Sequence, residues 1–164
     1  MNGTFSPDQQ AARTPPRFLV RTFWAVHRAI YRLTGGRFGL SRPRQGKRFG
    51  MMRVHTVGRR SAKQRVTMLG YFEDGPNLVS LAMNGWGDAE PAWWLNLQAK
   101  PETSVDLPGG RRAVRARAAT DEERANLWPK FQDYPGWGAD IDALAARRSM
   151  ETAVVVFEPS ATPA

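Results

Sequence analysis

Residues 50–83 read GMMRVHTVGRRSAKQRVTMLGYFEDGPNLVSLAM, and this stretch decides the fold. Three of its segments are rich in apolar and β-branched residues and are predicted strands: 50–57, 65–72 and 77–83. A tight turn at Gly58 separates the first two, and the run Glu73-Asp74-Gly75-Pro76 separates the second from the third. Turns of this length join neighbouring antiparallel strands. The stretch therefore predicts three hairpin-connected strands.

The residues that follow extend this pattern toward the C-terminus. Three more strands are predicted at 103–107, 112–118 and 153–157. Pro91 opens a short helix over 92–99, and the run Thr120-Asp121-Glu122-Glu123 is a capping box that begins a helix running toward Gln132. A second helix, running to about Arg148, follows the interruption at 134–137. About six mainly antiparallel strands with peripheral helices indicate an α+β fold whose sheet can close into a small barrel.

The N-terminal part predicts a basic amphipathic helix over residues 15–33, with Thr14 as its cap and Gly35-Gly36 as its end. Four arginines share one side of this helix, and apolar residues occupy the opposite side: Arg17, Arg21, Arg28 and Arg32 against Leu19, Phe23, Val26, Ile30 and Leu33. Two interpretations stay open, a surface helix packed on the barrel and a helix lying on an anionic membrane. The predicted organisation is a lead and helix over 1–34, a barrel domain over 35–159 and a tail over 160–164.

Charge is distributed unevenly along the 164 residues, whose formal net charge is +9. Residues 1–70 carry 15 Lys and Arg and one acid, whereas the remainder carries nine Lys and Arg and 14 acids. Such asymmetry predicts that the N-terminal part meets something anionic: nucleic acid, a membrane surface or a multiply charged small molecule.

Several kinds of chemistry are excluded by composition. The chain has no cysteine and only two histidines, His27 and His55, so neither a thiol nucleophile nor a multi-histidine metal site is available. His55 lies within a predicted strand and is interpreted as structural. No glycine-rich nucleotide motif and no Ser-His-Asp arrangement is present, so we predict no catalytic side chain and no metal. Any reaction would then come from a bound organic cofactor.

The lack of recognisable targeting signals predicts a cytoplasmic protein. Residues 1–10 lack the basic and apolar regions of a secretory signal, and no apolar run is long enough to span a bilayer. A lipid-bound N-terminal helix would place the protein at the inner face of the membrane.

Three segments are candidate binding elements, each with a structural alternative. The turn 58–65 carries four cations and a hydroxyl, which suits an anion cradle or a plain exposed turn. The segment 84–97 combines glycines, a helix start and three tryptophans, which suits a flat ligand or core packing. The segment 134–138 is an aromatic lid or a helix–helix turn with its aromatics in the core.

These segments together resemble one known family. The run Thr56-Val57-Gly58-Arg59-Arg60-Ser61 followed by Arg65, the pair Asn84-Gly85, and the segments 91–101, 120–124 and 154–159 are similar in order and spacing to the deazaflavin (F420)-dependent nitroreductase and quinone reductase family. The likeness covers roughly residues 18–159. It implies a split β-barrel that binds coenzyme F420, a deazaflavin with a phosphate and an oligoglutamate tail. It also implies hydride transfer from the reduced coenzyme to a quinone-like or nitro-compound acceptor.

The resemblance also implies roles for individual residues. The phosphate and tail would be held by Arg59, Arg60, Ser61 and Arg65. The deazaflavin would be lined by Thr67, Asn84, Gly85, Pro91, Ala92 and Trp93. The acceptor would be faced by Met83, Tyr134 and Trp137, with Trp86 narrowing or capping the pocket.

Alternatives to this function are a non-catalytic lipid- or flavin-binding protein on the same barrel, with FMN as the less favoured cofactor, and a nucleic-acid binder. Nucleic acid is not an expected partner, because the arginines are divided between a helix face and a cofactor-like turn and no exposed aromatics are interleaved with them. The acceptor's identity and the oligomeric state stay open.

Overall fold

The computed structural model describes residues 39–137 and 140–161, and six β-strands follow one another in them. They are β1 (Gly50–Val57), β2 (Gln64–Asp74), β3 (Asn77–Leu81), β4 (Glu102–Leu107), β5 (Gly110–Ala118) and β6 (Val154–Pro159). The helices of these residues are short: α1 (Ala92–Ala99), α2 (Asp121–Leu127), a 3-10 helix (Pro129–Asp133) and α3 (Ile141–Ala145). The basic helix predicted over 15–33 lies outside the described residues.

The strands form a closed antiparallel barrel in the order β1-β2-β3-β6-β5-β4. In the β1–β2 hairpin Gly50 faces Tyr71 and Val57 faces Gln64, so the two ends of this hairpin reach opposite ends of the barrel. The pairing of β1 with β4, where Val54 faces Val105, closes the barrel. The expectation of an α+β fold with a small antiparallel barrel is confirmed for the described residues.

Strict alternation along β1 fills the barrel interior. Met52 and Val54 are fully buried and point inward, where they join Leu78, Val105 and Phe157 in one apolar cluster. Burying each such side chain stabilises the fold by roughly 1.5–3 kcal/mol, so this interior is the main source of the barrel's stability. The register of β1 is fixed by the same alternation, because a slip of one residue would turn these side chains to the outer face.

A second apolar cluster covers the outer face of β2, β3 and β6. Phe72 points outward from β2 and meets Phe131 of the 3-10 helix edge to face, with ring centroids 4.8 Å apart. Ile141 of α3 and Leu127 of α2 pack into the same cluster. The helices near the C-terminus therefore bury one outer side of the barrel.

The capping box predicted at Thr120 is confirmed. The Thr120 hydroxyl accepts a hydrogen bond from the backbone N–H of Glu123 at 3.3 Å, and the Glu123 carboxylate accepts one from the backbone N–H of Thr120 at 2.8 Å. A hydrogen bond from Arg117, followed by those from Thr120, lowers the pKa of Glu123 to about 2. These bonds satisfy groups that the helix itself leaves unpaired.

Several predicted boundaries are wrong by a few residues. The helix expected to run toward Gln132 ends at Leu127, because Pro129 cannot donate a hydrogen bond and the chain continues as a 3-10 turn. The helix expected to reach Arg148 ends at Ala145. The third strand ends at Leu81, and the last one extends through Pro159, which faces Val114.

His55 belongs to an ion-pair cluster on the barrel exterior. Its Nε2 lies 2.8 Å from the carboxylate of Asp106, which also accepts hydrogen bonds from Arg53 and Arg111. Burial would raise the pKa of Asp106, but the hydrogen bonds from Arg111, His55 and Arg53 hold it well below its usual range. This cluster joins β1, β4 and β5, which agrees with the structural role predicted for His55.

Candidate coenzyme-binding site

A cavity of about 600 Å³ opens where β1 ends and β2 begins. Its wall combines that turn with the start of α1. The lining residues are Thr56, Gly58, Arg59, Arg60, Ser61, Arg65, Val66, Thr67, Asn84, Pro91, Ala92, Trp93 and Asn96. Nine of the ten residues predicted for the coenzyme lie on this wall, and Gly85 does not.

The turn between β1 and β2 is held tightly by its own backbone. Gly58 donates from its N–H to the carbonyl of Lys63 at 2.8 Å, and Ala62 donates back to the carbonyl of Gly58 at 2.7 Å. A Cβ at Gly58 would lie 2.7 Å from the Ser61 hydroxyl oxygen, closer than any real contact of that kind. Ala62 adopts a positive φ of 54°, which a residue with a side chain seldom does. The compact turn thus presents its side chains on one small surface.

The cations of this turn have no carboxylate partner in the described part of the chain. The guanidinium groups of Arg59, Arg60 and Arg65 make no ion pair there, although each lines the cavity. Arginines on the barrel exterior behave differently, since Arg115 pairs with Glu102 and Arg117 pairs with Glu123, both at 2.6 Å. Guanidinium groups without a carboxylate partner, together with a hydroxyl, are hydrogen-bond donors that suit a phosphate.

The other wall of the cavity is apolar and is formed by the first residues of α1. Pro91 caps the helix in an extended conformation, and the backbone N–H groups of Ala92 and Trp93 have no acceptor among the described residues. The indole of Trp93 is largely buried and stacks toward Phe157, with ring centroids 6.5 Å apart. Trp94 is buried in the barrel core. One tryptophan of the pair therefore borders the cavity and the other serves only the core.

Asn96 connects the two walls and was not among the predicted site residues. Its side-chain oxygen accepts a hydrogen bond from the backbone N–H of Arg59 at 3.1 Å, and its side-chain nitrogen donates one to the Thr56 hydroxyl at 3.3 Å. Asn96 is buried, so these bonds fix the position of the cationic turn against α1. The sequence indicates this role only through one feature: a single amide side chain lies within the apolar run Trp93-Trp94-Leu95-Asn96-Leu97. An amide at such a position in a helix needs a hydrogen-bond partner. Three further lining residues were not predicted individually, namely Thr56, Gly58 and Val66, although Gly58 belongs to the candidate turn 58–65.

The four residues predicted to face the acceptor lie together, and none of them lines this cavity. Met83, Trp86, Tyr134 and Trp137 all belong to the second apolar cluster. Trp86 adopts a positive φ of 61° and donates from its indole nitrogen to the carbonyl of Trp137 at 3.1 Å. Trp137 is only 4% exposed, and Tyr134 stacks on Phe72 with ring centroids 5.2 Å apart. The described residues thus favour core packing over an open aromatic lid.

Solved structures share this fold. An F420-H2 dependent reductase (FDR-A) aligns with a TM-score of 0.57 and 24% identity, over 71% of this chain and 96% of that chain. A protein described as a domain-swapped dimer aligns with a TM-score of 0.59 and 24% identity, over 84% of this chain and 99% of that chain. At this level of identity the likeness establishes the split-barrel fold alone.

The chain belongs to the F420H(2)-dependent quinone reductase family, whose model matches residues 24–159. An F420H(2)-dependent quinone reductase of Mycobacterium tuberculosis, Rv1261c, is 33% identical over 105 residues, which are 63% of this chain and 68% of that protein. A second protein of that organism, Rv3178, is 35% identical over 102 residues, 62% of this chain and 82% of its own length. The expected family, its oxidoreductase activity and its coenzyme F420 are confirmed.

Proposed function

We propose that the protein transfers hydride from reduced coenzyme F420 to a quinone, with the coenzyme held in the cavity between the β1–β2 turn and α1. The observation that carries this proposal is the joining of two walls of opposite chemistry. One wall is formed by a hydroxyl and by arginines that have no ion-pair partner in the described part of the chain, and the Pro91–Trp93 corner forms the other. A flat ring with an anionic tail fits such a donor set, because each half of the ligand meets its own wall.

Binding and orientation are the work of this chain's own residues. Arg59, Arg60 and Arg65 would grip the phosphate and tail, and Asn96 would keep the turn against α1. The N–H groups of Ala92 and Trp93, which have no acceptor among residues 39–137 and 140–161, would stabilise negative charge that develops beside the ring. When bound, the reduced deazaflavin supplies the hydride, and a proton from solvent completes reduction of a quinone to a quinol. Catalysis then rests on positioning and on exclusion of water by Trp93.

The acceptor would lie against the coenzyme ring near Thr67 and Asn84, which line the cavity. Trp86 and Met83 would limit the size of the acceptor from the neighbouring cluster, with Tyr134 and Trp137 behind them. A nitro compound would occupy the same place as a quinone, because both are flat and electron-poor.

Anaerobic turnover tests this proposal. Reduced coenzyme is mixed with the protein and a water-soluble menaquinone analogue, and formation of the oxidised deazaflavin is followed by absorbance. We expect oxidation that requires protein and acceptor together, and a nitro compound in place of the quinone defines the acceptor range. Tightly bound FMN or lipid in the purified protein without any turnover would instead support the binding-protein alternative.

The N-terminal segment leads to a separate proposal about location. No helix in the described ranges is long and apolar enough to cross a membrane. The arginines predicted on one side of the helix over 15–33 would bind anionic headgroups, which would bring the barrel of residues 35–159 to a lipid-dissolved quinone. We expect a protein lacking residues 1–34 to lose sedimentation with anionic liposomes while it keeps its affinity for the coenzyme. Equal sedimentation of both forms would contradict this role.

A further inference from the structure

The barrel has a second cavity, of about 360 Å³, at the end away from the coenzyme site. Tyr71 lines it four residues beyond Thr67 on β2, which is about 13 Å along a strand. The hairpin turn between β4 and β5 closes one side. The lining residues are Arg42, Tyr71, Glu73, Leu107, Pro108, Gly109, Gly110, Arg111 and Arg112. No residue is shared with the first cavity.

Tyr71 places a polar group in this cavity from inside the core. The residue is 1% exposed. Its ring packs so closely against Gly50 that a Cβ at that position would lie 2.6 Å from the ring. Its hydroxyl has no hydrogen-bond partner among the described residues. Burial, with Glu73 adding to it, raises the pKa of Tyr71 to about 12. A phenol is protonated at neutral pH even at its ordinary pKa of about 10, so the Tyr71 hydroxyl is a donor whose hydrogen is not used among the described residues.

The charges around the Tyr71 hydroxyl are mainly positive. Arg42 and Arg112 both act on it electrostatically, as does Glu73, and all three residues line the same cavity. Arg42 makes no side-chain hydrogen bond or ion pair among the described residues, and Arg112 donates only to the carbonyl of Pro76 at 3.3 Å. Arg111 is already bound to Asp106. Two guanidinium groups therefore share this cavity with a phenol, and all three have donors that no acceptor among the described residues uses.

We propose that this end of the barrel is a second binding site, which takes a small molecule bearing a phosphate or carboxylate group on Tyr71, Arg42 and Arg112. An oxyanion accepts hydrogen bonds from all three side chains, and Arg forks match its planar or tetrahedral oxygens. A cation would meet two guanidinium groups, and an apolar ligand would leave the donors unpaired. The single carboxylate, Glu73, would accept a hydrogen bond from a protonated oxygen or hydroxyl of the same ligand.

The test must separate this site from the cationic turn, which also attracts anions. Inorganic phosphate and acetate are titrated separately into the full-length protein at constant ionic strength, and backbone amide resonances are followed by NMR. Shifts of Gly109 and Gly110 report the second cavity, and shifts of Ser61 and Lys63 report the turn. We expect saturable shifts of Gly109 and Gly110 with phosphate, with acetate or with both, and the more effective probe identifies the chemical class.

Two variants and a control make the result specific. Tyr71→Phe removes only the hydroxyl, and Arg42→Gln removes an exposed charge, so both proteins should fold. Each is expected to weaken binding at Gly109 and Gly110 about tenfold, the worth of a hydrogen bond to a charged group. Arg44→Gln removes an exposed arginine of the same segment that does not line the cavity, and it should change binding less than twofold.

Three results would overturn the proposal. The first is an absence of shifts at Gly109 and Gly110 with both probes. The second is shifts confined to Ser61 and Lys63, which would assign all anion binding to the turn. The third is equal binding by Tyr71→Phe, Arg42→Gln and the unchanged protein, which would reduce the effect to general charge.

Discussion

The double substitution Arg59→Gln and Arg60→Gln is expected to weaken coenzyme F420 binding about a hundredfold or more. Neither guanidinium has an ion-pair partner in the described residues, so both are free to bind the coenzyme's phosphate and tail. A hydrogen bond between charged groups contributes about 1.5–3 kcal/mol, or roughly tenfold to a hundredfold in affinity for each arginine. Glutamine preserves the turn, because Asn96 bonds the backbone N–H of residue 59 rather than its side chain.

Fluorescence polarisation of the coenzyme, titrated with protein at several salt concentrations, measures this effect. The matched control is Arg44→Gln with Arg48→Gln, which removes the same charge from two exposed arginines that line neither cavity. We expect the control to keep its affinity and salt dependence, whereas the Arg59 and Arg60 variant should lose both. Similar losses in the two proteins would mean that net charge alone attracts the coenzyme and would exclude a specific cradle.

The strands could be predicted from sequence where burial alternates along them. In β1 every second side chain is inward, and the predicted bounds are those of the structure. Closure of the barrel could not be predicted in detail, because the pairing of β3 with β6 joins residues far apart in sequence. Strand ends were harder, since they depend on distant partners. Ala82 still donates to the carbonyl of Ala153, in register with the β3–β6 ladder. Met83 instead donates to the carbonyl of Leu81, so the chain turns out of the ladder before its apolar residues end.

The candidate site shows the same division between local and distant information. The cationic turn was found because its residues are adjacent in the chain. Asn96 was missed because its partners, Arg59 and Thr56, lie 37 and 40 residues away. Aromatic residues were ambiguous for another reason, since Trp137 satisfies a core and a pocket equally well by composition. Its burial against Phe49, at 4.9 Å between ring centroids, is a property of the folded chain alone.

Arg148 connects the C-terminal segment to the loop that carries Asn84, and it does so without a carboxylate among the described residues. It is 7% exposed and donates to the carbonyl of Gly87 at 3.0 Å and to that of Ala82 at 3.3 Å. It also donates to the Thr152 hydroxyl at 2.5 Å. Its Nη2 is buried with no acceptor in the described residues. Burying a charge without a counter-ion is costly. The hydrogen bonds that Arg148 donates to the carbonyls of Ala82 and Gly87 offset part of that cost.

Arg148→Met is therefore expected to lower the free energy of unfolding by about 3 kcal/mol, which is roughly 10 °C in Tm for a chain of this size. Methionine relieves the cost of burying the charge but leaves the carbonyls of Ala82 and Gly87 without a donor. Release of their loop also displaces Asn84, so coenzyme affinity should fall with stability. Thermal unfolding followed by circular dichroism measures the first effect, and coenzyme polarisation at low temperature measures the second.

The neighbouring Arg147 is exposed and provides the control for this prediction. Arg147→Met should change Tm by no more than 1–2 °C, because surface substitutions usually stay within about 0.5 kcal/mol. Arg148→Lys retains the charge with fewer directed donors and should fall between the two. If Arg148→Met unfolded at the temperature of Arg147→Met, the loop carbonyls would have other donors. If it lost stability alone, with coenzyme affinity unchanged, then Asn84 would not need the loop to be fixed in order to serve the cavity.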